Sequence, residues 1–206
     1  KHLVFRETGV GAGDAVATAE GLSDWRLLAL GEASFSLGQL GPARDAYSRL
    51  LDEQPASPLR ARARVRLVEA LTEAGALAEA LAEAEAGRSE ALDGEPATHL
   101  ESAAWELAGR LGDEGARRTA ARRLLALAPM EAARLQVVDA LRDEGGDWLR
   151  QLRPDELLVR AGSLLALDLA PSALETLAAL PEEQRGLRWF ELQGEALGAA
   201  GRPEEG

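Results

Sequence analysis

The sequence predicts an all-α chain, a right-handed α-α superhelix of about ten or eleven helices arranged as a solenoid of stacked two-helix modules. Three observations predict it. Ala supplies 41 and Leu 37 of the 206 residues, isoleucine is absent and aromatics make up 4%. Ala and Leu lose least on entering a helix, whereas sheets draw on β-branched and aromatic residues. Apolar residues recur at helical spacing, and one stretch of the chain returns downstream at a fixed offset.

That offset is 74: nine of the nineteen positions from Leu37 to Pro55 are identical to those from Leu111 to Pro129. At half of it, 37, a weaker copy appears, in which Leu30, Gly38, Leu40 and Ala43 recur as Leu67, Gly75, Leu77 and Ala80. Self-similarity at such a period marks a helical array, because a lone helix pair cannot bury its own apolar faces.

The elements follow in order. Leu27, Leu28, Leu30 and Ala33 form an apolar stripe running to Leu37. Gly38 supplies the permissive backbone that ends this helix, and Pro42 suits the first turn of the next. Ala43, Ala46, Tyr47, Leu50 and Leu51 make the second stripe, and Pro55 stops it. Small residues such as Gly31, Ala43 and Ala80 let neighbouring helices approach closely. Gly112 to Pro129 repeats the turn and second helix. Further on, Glu131–Glu144 and Pro154–Leu167 read as first helices, Pro171–Leu180 as a second, and Trp148–Arg153 as a short helix or connector. Gly194-Glu195-Ala196 with Gly201 matches Gly31-Glu32-Ala33 with Gly38, which puts Gly206 just inside another second helix.

The expected organisation is a partial repeat or linker over 1–22 and a solenoid over 23–206. Within the solenoid, clear repeats cover 24–129, an irregular connector 145–153 and degenerate repeats 154–206. Residues 14–22 read as the second helix of an incomplete repeat, and the Gly9–Gly13 run as a loop, since no strand precedes it. A chain that stops in mid-repeat is expected to continue in its parent protein. It is also expected to expose apolar surface at its truncated C-terminal end and to self-associate there.

Leu30-Gly31, Gly38, Ala43, Tyr47 and Pro55, at these spacings, resemble a tetratricopeptide repeat, with a period of 37 in place of the usual ~34. A narrower resemblance rests on longer wording: Trp25, then Leu-Gly, Tyr-Ser-Arg-Leu-Leu, Pro55-Ala56-Ser57-Pro58-Leu59 and an Ala/Arg-rich helix, followed by Trp105-Glu-Leu-Ala and the Leu-Pro-rich turn between Leu174 and Arg188. Over about residues 20–206 this is similar to the helical superhelix of soluble lytic transglycosylases of bacterial envelopes. That resemblance implies a non-catalytic scaffold acting with peptidoglycan in the periplasm, its catalytic domain lying C-terminal to residue 206. Glu32-Ala33-Ser34-Phe35 is similar to the Glu-Ser-x-Phe start of that family's catalytic motif, but the Gly-Leu-Met-Gln-like continuation is missing, so Glu32 reads as part of a repeat helix. The alternative is a free-standing, cytoplasmic adaptor that holds a protein or peptide in its concave groove.

The remaining residues offer no reaction centre. Cysteine is absent, and His2 and His99 are the only histidines, so His-based triads and multi-His metal sites lack material. No cofactor is expected. The net charge of -12 argues against nucleic acid, and no apolar run approaches the ~18–20 residues that span a bilayer. Arg60, Arg62, Arg64 and Arg66 split into two helix faces, and Arg117, Arg118, Arg122 and Arg123 cluster. Solvated faces with Glu partners on adjacent helices account for both sets, as solvation does for Glu79, Glu83 and Glu90. Trp25 and Trp105 are placed near first-helix starts, with packing between modules as their expected role. First helices line the concave face of such arrays, so Trp25, Glu32, Phe35, Arg62 and Glu69 are the candidate partner contacts.

Overall fold

The computed structural model describes residues 12–90, 94–142 and 148–202. Most of the Gly9–Gly13 run, Gly145 to Asp147 and Gly206 lie outside the described residues. All described secondary structure is helical. One compact unit holds α1 (Ala12–Ser36), α2 (Leu40–Glu53) and α3 (Arg60–Glu73), and the chain divides between Ala76 and Leu77. The second unit holds α4 (Leu77–Ser89), α5 (Gly94–Leu111), α6 (Glu114–Leu127), α7 (Pro129–Arg134), α8 (Val137–Arg142), α9 (Pro154–Leu165), α10 (Ala170–Ala178) and α11 (Leu187–Ala199). Within each unit successive helices pack on one another: α1 on α2 and α2 on α3 in the first; α4 on α5, α5 on α6, α9 on α10 and α10 on α11 in the second.

One turn recurs through both units. Gly38, Gly75, Gly112 and Gly201 follow α1, α3, α5 and α11 with φ of 70°, 76°, 70° and 72°. In each case the next residue's N–H reaches back five positions: Gln39 to the Ser34 carbonyl at 2.9 Å, Ala76 to Leu71 at 2.9 Å, Asp113 to Ala108 at 2.9 Å and Arg202 to Leu197 at 2.8 Å. This is a Schellman closure, which satisfies carbonyls that a helix end would otherwise leave bare. The first three glycines stand 37 residues apart, so the period is a backbone event as well as a sequence one. Asp168, at φ 57°, takes the same role after α9, with Leu169 N–H on the Leu164 carbonyl at 2.9 Å. No glycine marks that turn, which is why the repeat looked degenerate there.

The second unit keeps its order across an interruption. The helix expected over Glu131–Glu144 is broken: α7 ends at Arg134, Gln136 adopts φ 54°, and α8 resumes at Val137. The irregular stretch therefore begins well before residue 145, and a 3-10 turn at Trp148–Gln151 closes it. α6 nonetheless packs directly on α9, so the interruption is carried to one side.

Other expectations are corrected in detail. α1 is continuous from Ala12, so residues 14–22 share one helix with the first module. For the same reason Trp25 lies well inside α1, and Trp105 well inside α5, which begins at Gly94. Leu30 and Leu37 are 53% and 72% exposed. α1 buries Leu27, Leu28, Gly31 and Ser34, and a residue one position off that stripe is turned away by 100°. Leu67, one period after Leu30, is buried.

Packing is close at Ala43, Ala80 and Gly31. Both alanines are fully buried. At Gly31 a Cβ would fall 2.3 Å from the Tyr47 ring, so α2 lays its tyrosine on bare α1 backbone. Gly194, at the same distance from its turn, has nothing within 4 Å of a Cβ position.

The second unit also contains a buried ionic link. Glu101 on α5, 3% exposed, accepts from Arg88 of α4 at 3.0 Å and from Arg123 of α6. A buried carboxylate is tolerated only when paired and hydrogen-bonded, and here one anion ties three consecutive helices.

Three substitutions are expected to lower stability in urea unfolding. Gly112→Ala is destabilised by about 1–2 kcal/mol for a purely conformational reason, since nothing lies near its Cβ position; Gly31→Ala loses about 1–3 kcal/mol through collision with Tyr47, and Tyr47→Leu in the same chain makes that loss less than additive. Glu101→Ala costs about 3–5 kcal/mol, because it leaves Arg123 without its anion and Arg88 with Glu85 alone.

Candidate functional site

α1 and α3 touch, and their contact brings together four of the five residues singled out from sequence. Glu32 projects from α1 between two cations of α3. Arg62 Nη2 lies 2.9 Å from Glu32 Oε1, and Arg66 Nη2 lies 3.2 Å from Glu32 Oε2. Arg62 and Arg66 are one helical turn apart, which lets both guanidinium groups address one carboxylate. Arg66 also donates through Nη1 to Glu69 Oε2 at 2.7 Å. Its guanidinium carbon stands 5.9 Å from the centroid of the Phe35 ring, within cation–π range.

Arg66 is thus the hub of this surface, linking Glu32, Phe35 and Glu69. The sequence contained its signal in the Arg62/Arg66 spacing, yet the identity of the shared anion depends on how α1 sits against α3. The expected pairing of arginines with glutamates on adjacent helices holds here and again for Arg123 with Glu101 and Arg122 with Glu156.

Beneath the cluster lies Tyr47, fully buried, with its hydroxyl making no hydrogen bond. Burial first, and then the negative charge of Glu32, push its phenol from 10.0 up to about 12. The ring is a packing element on Gly31, not a proton carrier near neutral pH. Trp25 is placed apart from the cluster: it stands two helical turns before Glu32 on the same side of α1 and is 58% exposed. Trp105, by contrast, is 8% exposed and lies under Arg117, whose guanidinium carbon is 4.3 Å from the ring centroid.

The arrangement offers binding chemistry. Arg62 is 57% exposed and Glu69 42% at their side chains, so both can meet a partner while held by internal contacts. Among the described residues no three His, Cys, Asp or Glu side chains are placed to hold a metal ion, and none of the described helices is long and apolar enough to cross a membrane.

No protein-family model matches the chain, and no curated protein matches it. Among solved structures, a tetratricopeptide repeat protein from Parabacteroides merdae aligns with TM-score 0.44 and 15% identity, over 89% of this chain and 64% of that one. This chain therefore spans less than two thirds of that protein's length. None of these comparisons supports the lytic transglycosylase resemblance.

The buried tyrosine gives a direct pH prediction. It is the only tyrosine in the chain, so the alkaline rise in absorbance at 295 nm reports its ionisation over a constant tryptophan background. The folded value exceeds the unfolded one; neutral Tyr47 therefore contributes stability that is complete below pH 10 and is lost as pH rises from 10 to about 12. The native chain is expected to ionise near 12 and the urea-unfolded chain near 10, and Tyr47→Phe removes this part of the alkaline loss of stability.

Proposed function

We propose that this chain is a non-catalytic helical scaffold that binds a protein or peptide segment across the exposed faces of α1 and α3. The observation that carries the proposal is the convergence of Glu32, Phe35, Arg62, Arg66 and Glu69 on one surface, with Trp25 further along α1. Their mutual bonds fix rotamers before any partner arrives, which lowers the ordering cost of binding. Alternating charges set the partner's register, while exposed Trp25 and half-buried Phe35 offer anchors of the kind that dominate binding energy.

This is the adaptor reading of the sequence. The peptidoglycan scaffold and periplasmic location implied by the transglycosylase resemblance draw no support from fold or site. The test is selection of ligands from a displayed peptide library on the full chain, followed by titration against variants. Phe35→Ala and Arg62→Ala are expected to weaken the selected peptides about ten-fold or more. The unfolding midpoint of Arg62→Ala should stay close to the parent's, since an exposed ion pair contributes about 0–1 kcal/mol. Selected peptides that bind both variants as tightly as the parent, or that cross-link outside α1 and α3, overturn the proposal.

A further inference from the structure

Three of the four tryptophans are covered by an arginine of the chain itself. Arg117 lies 4.3 Å from the Trp105 centroid, Arg160 4.8 Å from that of Trp148, and Arg185 4.8 Å from that of Trp189. Phe35 has Arg66 at 5.9 Å. A guanidinium over an indole face is favoured because the ring's quadrupole is negative there, and arginine's flat, weakly hydrated cation stacks at low desolvation cost.

Trp25 departs from this pattern. It is 58% exposed, and no cation of the described residues covers it. Its neighbour Asp24 supplies an independent observation. That carboxylate is 5% exposed, yet it is held only by the Trp25 N–H at 2.7 Å and the Ser57 hydroxyl. Among the described residues no cation pairs with it. Among the described residues, then, a buried anion without a counter-ion and an indole without a covering cation are consecutive on α1, and both lower the energy of a positive charge placed there. The net charge of -12 acts in the same direction at longer range.

Resting on the binding reading above, we propose that Trp25 is the seat for an arginine side chain of a basic partner segment. The partner's guanidinium would stack on the indole as Arg117, Arg160 and Arg185 do on theirs, with Asp24 as the nearby negative charge. An acidic segment finds the opposite conditions at this position, and a neutral sugar or apolar group gains nothing from Asp24.

The test uses the full chain and three synthetic probes: an acetylated, amidated Gly-Arg repeat of four units and its citrulline and glutamate counterparts. Calorimetric titration should give an arginine probe that binds more tightly than the other two. Trp25→Ala changes no charge, so it leaves the general attraction of an acidic protein for a basic peptide intact. It is expected to weaken the arginine probe about five-fold while leaving the citrulline probe unaffected. Trp25→Phe should fall between, and should remove the acrylamide-accessible part of the tryptophan emission.

Equal affinity of parent and Trp25→Ala for the arginine probe overturns the inference. So does equal binding of the citrulline or glutamate probe, or an accessible emission that Trp25→Phe leaves unchanged. If library-selected peptides still depend on Phe35 and Arg62 without any preference for arginine, the inference falls and the binding reading survives. If no peptide of any composition binds the chain, both fall.

Discussion

A left-handed backbone position closes each long first helix of this chain, and the rest of the architecture depends on it. At Gly38, Gly75, Gly112, Asp168 and Gly201 the chain leaves the helix with φ between 57° and 76°. That geometry lets the following N–H reach five positions back, so the helix end is satisfied internally, and at Gly38 and Gly112 the chain then reverses within a few residues. A short reversal leaves the following helix little choice but to lie beside its predecessor, and α1 with α2, and α5 with α6, do so. Glycine is the economical residue at this position because it lacks the Cβ that clashes there, while aspartate is among the few others that tolerate it.

Once the reversal is fixed, packing detail decides what each helix presents. In the first unit the Tyr47 ring needs bare backbone, and Gly31 provides it. Seating the tyrosine there keeps α2 against one side of α1 and leaves other sides of α1 to α3 and to solvent. The surface cluster follows from that choice: Glu32 lies next to the buried Gly31, at the edge where α3 brings Arg62 and Arg66 within bonding distance. A structural contact and a candidate binding surface thus share consecutive residues of one helix.

The second unit solves a harder problem with the same materials. Its helix α5 carries a buried carboxylate, Glu101, that draws in Arg88 of α4 and Arg123 of α6. Such a link adds little net stability over an apolar contact of equal size, but it penalises any arrangement that separates its members. After α6 the regular order breaks into α7, α8 and a 3-10 turn, and α9 returns to pack on α6. The interruption costs the sequence its period without costing the fold its succession of neighbours.

The all-helical class, the period of 37, the glycine turns and the small residues at Gly31, Ala43 and Ala80 were determined by the sequence alone, because each is a local backbone or periodicity property of a few residues. The exposure of Leu30, the continuity of α1 and the break at Gln136 were not legible, since a stripe read at 100° per residue does not say which arc a neighbour will cover. Asp168 escaped notice because only glycine advertises a left-handed turn in a sequence. At the candidate site, Trp25, Glu32, Phe35, Arg62 and Glu69 could be picked out by type and position. That Arg66 joins Glu32 and Phe35, and that Trp25 has no covering cation among the described residues, was decided by tertiary structure: ion pairs and ring contacts between residues some thirty apart depend on how two helices lie against each other, which no local pattern encodes.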